Sequence, residues 1–320
     1  MIDTTDSIAT LLKDTFLAKR EIIKLDIPEC DRSAFAIQIN REEILSAWRL
    51  LRSYLPVTQR WPVVVASWNF QCQDWQSNIL DSDFFGRQQF QHESLQHQLD
   101  GSSPDTFVAS IEAVDLTAFL KQKAERQHEH LDAQELKEII EEEVDTFPRR
   151  FDTLSLQSQL EALVDSGEIK STFDLQKCLF ESKIVDEIYT FKPENGEGGS
   201  LRWYEPTPNQ PLALVLLPTP NGWESVAYID WYGSYGIGSH VVAAFLKKWN
   251  SHYGAELVCH YGTMLQFLVK QRPAKMREAF QLAWEQTAIA LCTILLPGFS
   301  LKEYAIYLMV YDRWFLHERP

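Results

Sequence analysis

Gly233, Gly236 and Gly238 stand just ahead of Ser239 and His240. These two open a run in which Val242, Phe245, Leu246, Trp249 and Tyr253 recur at three- and four-residue spacing, the signature of one helix face. Glycines in that place leave backbone N–H groups uncovered at the positive end of a helix, an arrangement that holds a phosphate or a carboxylate. His240 could serve there as acid, base or anion ligand. Asp230 and Glu285 join the set if the order of strands and helices carries them to the loop. The candidate ligand-binding residues are therefore Gly236, Gly238, Ser239, His240, Asp230 and Glu285. Their spacing is neither G-x-G-x-x-G nor that of a phosphate loop ending in Lys-Ser/Thr. The same residues also have a structural reading: glycines for a sharp strand-to-helix turn, Ser239 capping the first-turn N–H groups, and a capping or core His240.

Other chemistry is poorly supported. His128 and His130 fall on opposite sides of a helix, His92 and His97 are not four apart, and Cys259 and His260 are neighbours on a strand. No zinc spacing results, so neither metal nor cofactor is expected. There is no G-x-S-x-G elbow and no catalytic residue to nominate. Cys30, Cys72, Cys178, Cys259 and Cys292 are dispersed without a C-x-x-C pair, which reads as reduced thiols. Tyr304, Tyr307 and Tyr311 with Trp314 and Phe315 have the spacing of core packing, or of a partner surface.

The elements that must position these residues follow from pattern. Strands are expected over 21–27 and 34–39. Asn40 and Glu43 have the spacing of a capping box, and a helix with Ile44, Trp48, Leu51 and Leu55 on one stripe follows. Trp61 to Ala66 is apolar without alternation, as in a strand covered on both faces. A further strand is expected at 106–113, and helices after Asp115, from Asp132, over 153–164 and over 172–189. The stretch 192–211, KPENGEGGSLRWYEPTPNQP, is rich in Pro, Gly and Asn and marks a linker or long loop. Domains are accordingly placed at 1–191, an acidic mixed α/β region, and at 212–320. In the latter, strands at 212–217 and 223–231 precede the central helix, a hairpin at 255–269, two helices and a closing strand at 312–317. Gly254 stops the central helix. The fold class expected is α+β, with helices packed on a mainly antiparallel sheet.

HVVAAFLKKWNSHYGAELV, the downstream WEQTA and the terminal YDRWF resemble a bacterial family known as domain of unknown function 4253. ILSAWRLLRSYLPVTQRWPVVVAS is similar to the helix and strand that precede this domain in longer members. The resemblance implies a fold and no chemistry, since the family has no settled activity. Where that family has a Trp-Asn-Asp type loop before the helix, this chain has Trp231-Tyr232-Gly233-Ser234.

The 320 residues carry a net charge of −15. From Ser200 onward ten basic residues face nine acidic ones, which leaves 20 against 36 in the part before it. An acidic surface of this kind repels a phosphate backbone and attracts cations, so nucleic acid is not an expected partner. The longest mainly apolar run, 288–296, is too short to cross a bilayer, and the first residues show no basic start followed by an apolar run. A cytoplasmic protein is expected. Two functions compete: a non-catalytic interaction or regulatory module, immunity-like, that engages a basic protein; or a small-ligand or anion-binding domain, possibly enzymatic, that uses the Gly233–His240 loop.

Overall fold

The structure, a computed structural model, describes residues 2–27, 30–66, 104–127, 131–145, 152–181, 203–207, 210–229, 231–234 and 236–319. Thr4 caps the first helix, α1 (Thr5–Leu12), by accepting the Ser7 N–H at 3.2 Å, and Ile8 and Leu12 are buried four residues apart. Strands β1 (Ile22–Leu25) and β2 (Ala34–Ile39) follow. Asn40 and Glu43 close the expected capping box, with the Asn40 N–H donating to the Glu43 carboxylate at 2.7 Å. Helix α2 (Ile44–Ser53) then buries Ala47, Trp48 and Leu51, and the short α3 (Leu55–Thr58) leads into β3 (Trp61–Ala66).

Among the described residues five helices come next. In α4 (Pro104–Ile111) the structure corrects the strand expected at 106–113. Phe107 and Ile111 are both buried and lie four residues apart, so helical spacing prevails over the β-prone composition. Asp115 caps α5 (Leu116–Gln127) by accepting the N–H groups of Thr117 and Ala118 at 3.0 Å. The box of Asp132 and Glu135 opens α6 (Ala133–Asp145). Asp152 caps α7 (Thr153–Asp165), and α8 (Thr172–Glu181) follows. These last three helices share a small core of their own, in which Leu136, Ile140 and Val144 meet Leu156, Leu160, Leu175 and Leu179.

Strand β4 (Leu212–Leu217) is followed by a 3-10 turn over Gly222–Ala227, where a strand at 223–231 was expected. The Glu224 carboxylate holds that turn by accepting from the Thr219 hydroxyl and, at 2.9 Å, from the Asn221 amide. The Trp61 ring lies so close to Gly222 that a Cβ there would come within 2.5 Å of it. The chain continues through α9 (Ser239–Tyr253), β5 (Glu256–His260), β6 (Met264–Leu268), α10 (Met276–Ile289), α11 (Cys292–Leu295), α12 (Leu301–Val310) and β7 (Arg313–His317).

The seven strands of the described residues lie in one sheet, in the order β1-β2-β4-β3-β5-β6-β7. Every neighbouring pair is antiparallel except β3 and β5, which pair in parallel through Val64 with Cys259 and Val65 with His260. The fold is α+β with a mainly antiparallel sheet. The two central apolar strands, β3 and β4, are buried at every residue, as their lack of alternation requires. Because β4 fills the place between β2 and β3, the stretch 192–211 connects parts of a single sheet.

The outer strand β7 is covered by side chains. Its carbonyls at Arg313, Trp314 and Phe315 accept from Tyr307 (2.6 Å), Trp203 (3.0 Å) and Tyr304 (3.3 Å). The Thr293 hydroxyl accepts the His317 N–H at 2.9 Å and donates back to the His317 carbonyl at 3.3 Å. Tyr304 and Trp314 are fully buried, so the C-terminal aromatic set serves the core there. Among the described residues no helix is long and apolar enough to cross a membrane.

Candidate functional site

The glycine loop does stand at the start of α9. Gly236 and Gly238 have φ of 74° and 90°, and the Ser234 carbonyl accepts the N–H groups of Ile237 and Gly238 at 3.2 and 2.8 Å. The helix cap is Gly238, whose carbonyl accepts from Val241 and Val242, and no side chain caps the end. Ser239 is thus the first helical residue and is buried, one position later than a capping serine would be. His240 is exposed and lays its ring across Gly238, where a Cβ would meet Cε1 at 2.5 Å. Desolvation on that side lowers its pKa from the ordinary histidine value. Asp230 lies outside the described residues.

Glu285 is not brought to this loop. Its carboxylate, 3% exposed, accepts from Lys248 Nζ at 2.6 Å and Gln281 Nε2 at 3.1 Å through Oε1, and from Trp249 Nε1 at 2.9 Å through Oε2. Lys248 and Trp249 lie eight and nine residues beyond His240, which is about 12–14 Å of helix rise. The structure groups Gly236, Gly238, Ser239 and His240, and sets Glu285 near the far end of α9.

That far end is where the surface is concave. A groove of about 630 Å³ runs between α5, α8, the last turns of α9 and the first turns of α10. Its apolar floor includes Leu116, Leu120, Phe173, Phe180, Phe280 and Trp284. Phe173 lies with its ring centre 4.6 Å from that of Trp284 and 5.4 Å from that of Phe280, so the floor is an aromatic cluster built across α8 and α10. Lys121, Lys177, Lys248 and Arg277 supply four cations, against the two carboxylates of Glu278 and Glu285. The Glu285 contacts hold Lys248 in place at the rim. Tyr253, also in the groove, has its phenol pushed up to about 12 by burial and then by Glu285 and Glu278.

A second polar feature lies where β5 ends. His260 is 2% exposed, and its Nδ1 accepts the Gly262 N–H at 3.3 Å, which places the ring proton on Nε2. Nε2 lies near the Ile229 carbonyl without making a hydrogen bond to it. Burial drives the imidazole down to about 4, only partly offset by the carbonyls of His260 and Ile229. The Ser225 and Ser234 hydroxyls and the Trp231 indole N–H are likewise buried without hydrogen bonds. The Tyr232 backbone N–H ties this loop to the strand end by donating to the Gly262 carbonyl at 3.0 Å. Among the described residues no group of three or more His, Cys, Asp or Glu is placed to hold a metal ion.

Sequence reasoning named Glu285 but not the groove around it. A partial signal exists: Lys248 with His252, and Arg277, Gln281 and Glu285, repeat every four residues and share helix faces. The walls contributed by α5 and α8 come from far along the chain, and no local spacing announces them.

Fold and site together define an α+β sheet protein with a helix-walled groove. Its C-terminal third, residues 213–317, matches the model of a domain of unknown function, DUF4253, in agreement with the resemblance carried by 240–258 and the segments after it. That match spans β4 to β7 and includes α9 and α10, whereas α5 and α8 lie outside it. No curated protein and no solved structure matches the chain.

Proposed function

We propose that the chain binds a small organic molecule in the groove between α5, α8, α9 and α10. The supporting observation is a concavity of about 630 Å³ that joins an aromatic floor to a few fixed polar groups. Small-molecule sites have this size and make-up, roughly 300–1,000 Å³, mostly apolar with sparse polar anchors. Lys248 is held at the rim by Glu285 before any ligand arrives, so little ordering cost falls on binding. The test is mass spectrometry of the natively purified protein for a retained metabolite, repeated on Ala124→Trp. Ala124 is half-buried and lines the groove, so a tryptophan there fills the space without removing a core contact. A retained compound in the parent protein that is missing from the variant supports the reading. Equal retention by both removes it.

A second reading has its own observation. The outward face of α6 carries Glu135, Glu138, Glu141, Glu142 and Asp145, all exposed, and suits a non-catalytic module that engages a basic protein. Replacing these five by Gln or Asn should abolish a salt-sensitive partner seen in co-purification at low ionic strength. A partner that survives both the substitutions and high salt counts against it.

A further inference from the structure

We infer that Tyr253 selects the ligand of the groove: its phenol donates a hydrogen bond to a neutral oxygen acceptor, the carbonyl of a ketone or an amide, on a molecule with an apolar body. This rests on the reading that the groove binds a small molecule, and adds the residue that fixes the ligand's polar end and the chemical class of that end.

Tyr253 lines the groove from the last turn of α9 and is held from two sides. Its ring meets Trp314, itself fully buried, edge-on with centres 5.4 Å apart. Its backbone carbonyl accepts the N–H groups of Lys270 and Gln271, each at 3.0 Å, which ties the end of the helix to the chain beyond β6. The hydroxyl, in contrast, makes no hydrogen bond among the described residues. Tyr204, Tyr304 and Tyr307 donate theirs to Gln210, Gln286 and the Arg313 carbonyl, and so join parts of the fold. Tyr253 is likewise fixed in place, with its donor left over. A donor ordered before the ligand arrives adds little to the cost of binding.

The charges around the phenol decide what it can meet. Glu285 and Glu278, both in the groove, act on its oxygen and together with burial keep it protonated far above neutral pH, so it remains a donor. The same two carboxylates disfavour an anionic head at that oxygen. A cationic head would share the groove with Lys121, Lys177 and Lys248, and Glu285 already has both oxygens taken, by Lys248, Gln281 and Trp249. A neutral acceptor meets neither penalty. Once the ligand's body displaces water from the phenol, a compound without that acceptor leaves a donor unpaired, and sites built to pair such a group reject the analogue.

Equilibrium dialysis with four probes of one naphthalene body tests this: 2-acetonaphthone, 2-isopropylnaphthalene, 2-naphthoate and 2-(aminomethyl)naphthalene. The ketone should bind about tenfold tighter than each of the other three. Tyr253→Phe should lower ketone affinity about tenfold and leave 2-isopropylnaphthalene unchanged, a split that general damage to the fold does not produce. The hydroxyl has no partner in the fold, so the melting temperature of this variant should match the parent's. Naphthoate or the amine binding as tightly as the ketone, or Tyr253→Phe weakening the ketone and the hydrocarbon equally or neither, overturns the inference. If that binding is nonetheless lost in Ala124→Trp, the groove stands as a site. Binding of no probe, or binding that Ala124→Trp leaves intact, overturns both.

Discussion

Lys248 of α9 and Glu285 of α10 meet at 2.6 Å, with the carboxylate 3% and the ammonium 36% exposed. The carboxylate also takes the Trp249 indole N–H at 2.9 Å. Glu285→Ala leaves a buried indole N–H and a half-buried ammonium without their acceptor. The cost should be roughly 3 kcal/mol, at the lower end of the range for broken buried pairs because water still reaches Lys248. Glu285→Gln keeps an acceptor for one donor and should cost about half as much. Urea unfolding of the two variants measures the difference, and equal losses would show that the contacts do not carry it.

Arg60 anchors the N-terminal segment. It is 1% exposed, donates to the Ile2 carbonyl, to the Ser33 carbonyl at 2.7 Å and to Asp3 at 2.8 Å, and stacks over Phe35 at 4.6 Å. Burial lowers its pKa, and Asp3 pulls the other way. Arg60→Ala should cost about 3 kcal/mol and expose the segment before α1 to protease. Asp3→Asn should cost less than about 1 kcal/mol, since Asp3 is largely in water. A larger loss for Asp3→Asn than for Arg60→Ala would reverse the assignment.

His260 predicts a pH dependence. Its folded pKa of about 4 lies below the ordinary histidine value of 6.5, so in that interval the unfolded chain takes up a proton that the folded chain refuses. The stabilisation from His260 is complete above pH 6.5, falls as pH drops from there to about 4, and is flat below. Its full size is on the order of 3 kcal/mol. Unfolding midpoints measured from pH 7.5 to 4 should therefore decline more steeply in the parent protein than in His260→Gln. Parallel curves would place the titration elsewhere.

Gly236 and Gly238 separate backbone strain from contact. An alanine at Gly236 meets nothing within 4 Å and pays only for its positive φ, about 1 kcal/mol. An alanine at Gly238 pays a larger backbone cost, because φ 90° with ψ 133° lies outside the left-handed helical region, and also pushes the His240 ring aside. Because that ring owes its lowered pKa to desolvation, Gly238→Ala should raise the His240 pKa toward 6.5, while Gly236→Ala should leave it alone. An NMR titration of His240 reads this directly, and an unchanged value in Gly238→Ala would contradict the contact.

Features set by short-range chemistry were legible from the chain alone. The apolar runs of β3 and β4, the box of Asn40 with Glu43, and the Gly254 stop at φ 59° all lie where their residue types put them. The 3-10 turn at 222–227 was not, because Glu224 and the Trp61 ring impose it on a segment of strand-like composition. The helix at 104–111 declares itself only in the four-residue spacing of Phe107 and Ile111, against a β-prone composition. For the site, sequence placed the glycines correctly beside the start of α9 and named Glu285, yet could not tell that some eight residues of helix separate them. The groove escaped it because Phe173 reaches Trp284 only through tertiary packing.

Thr293, Tyr304 and Tyr307 occupy the outward polar backbone of β7 with their own side chains. A foreign peptide seeking to extend the molecule on that flank would have to displace Thr293, Tyr304 and Tyr307 from the outward carbonyls of His317, Phe315 and Arg313, and Thr293 and Tyr304 are buried. Crowded copies of this chain thus meet a blunted rim there, and fibril-like stacking through that side is disfavoured.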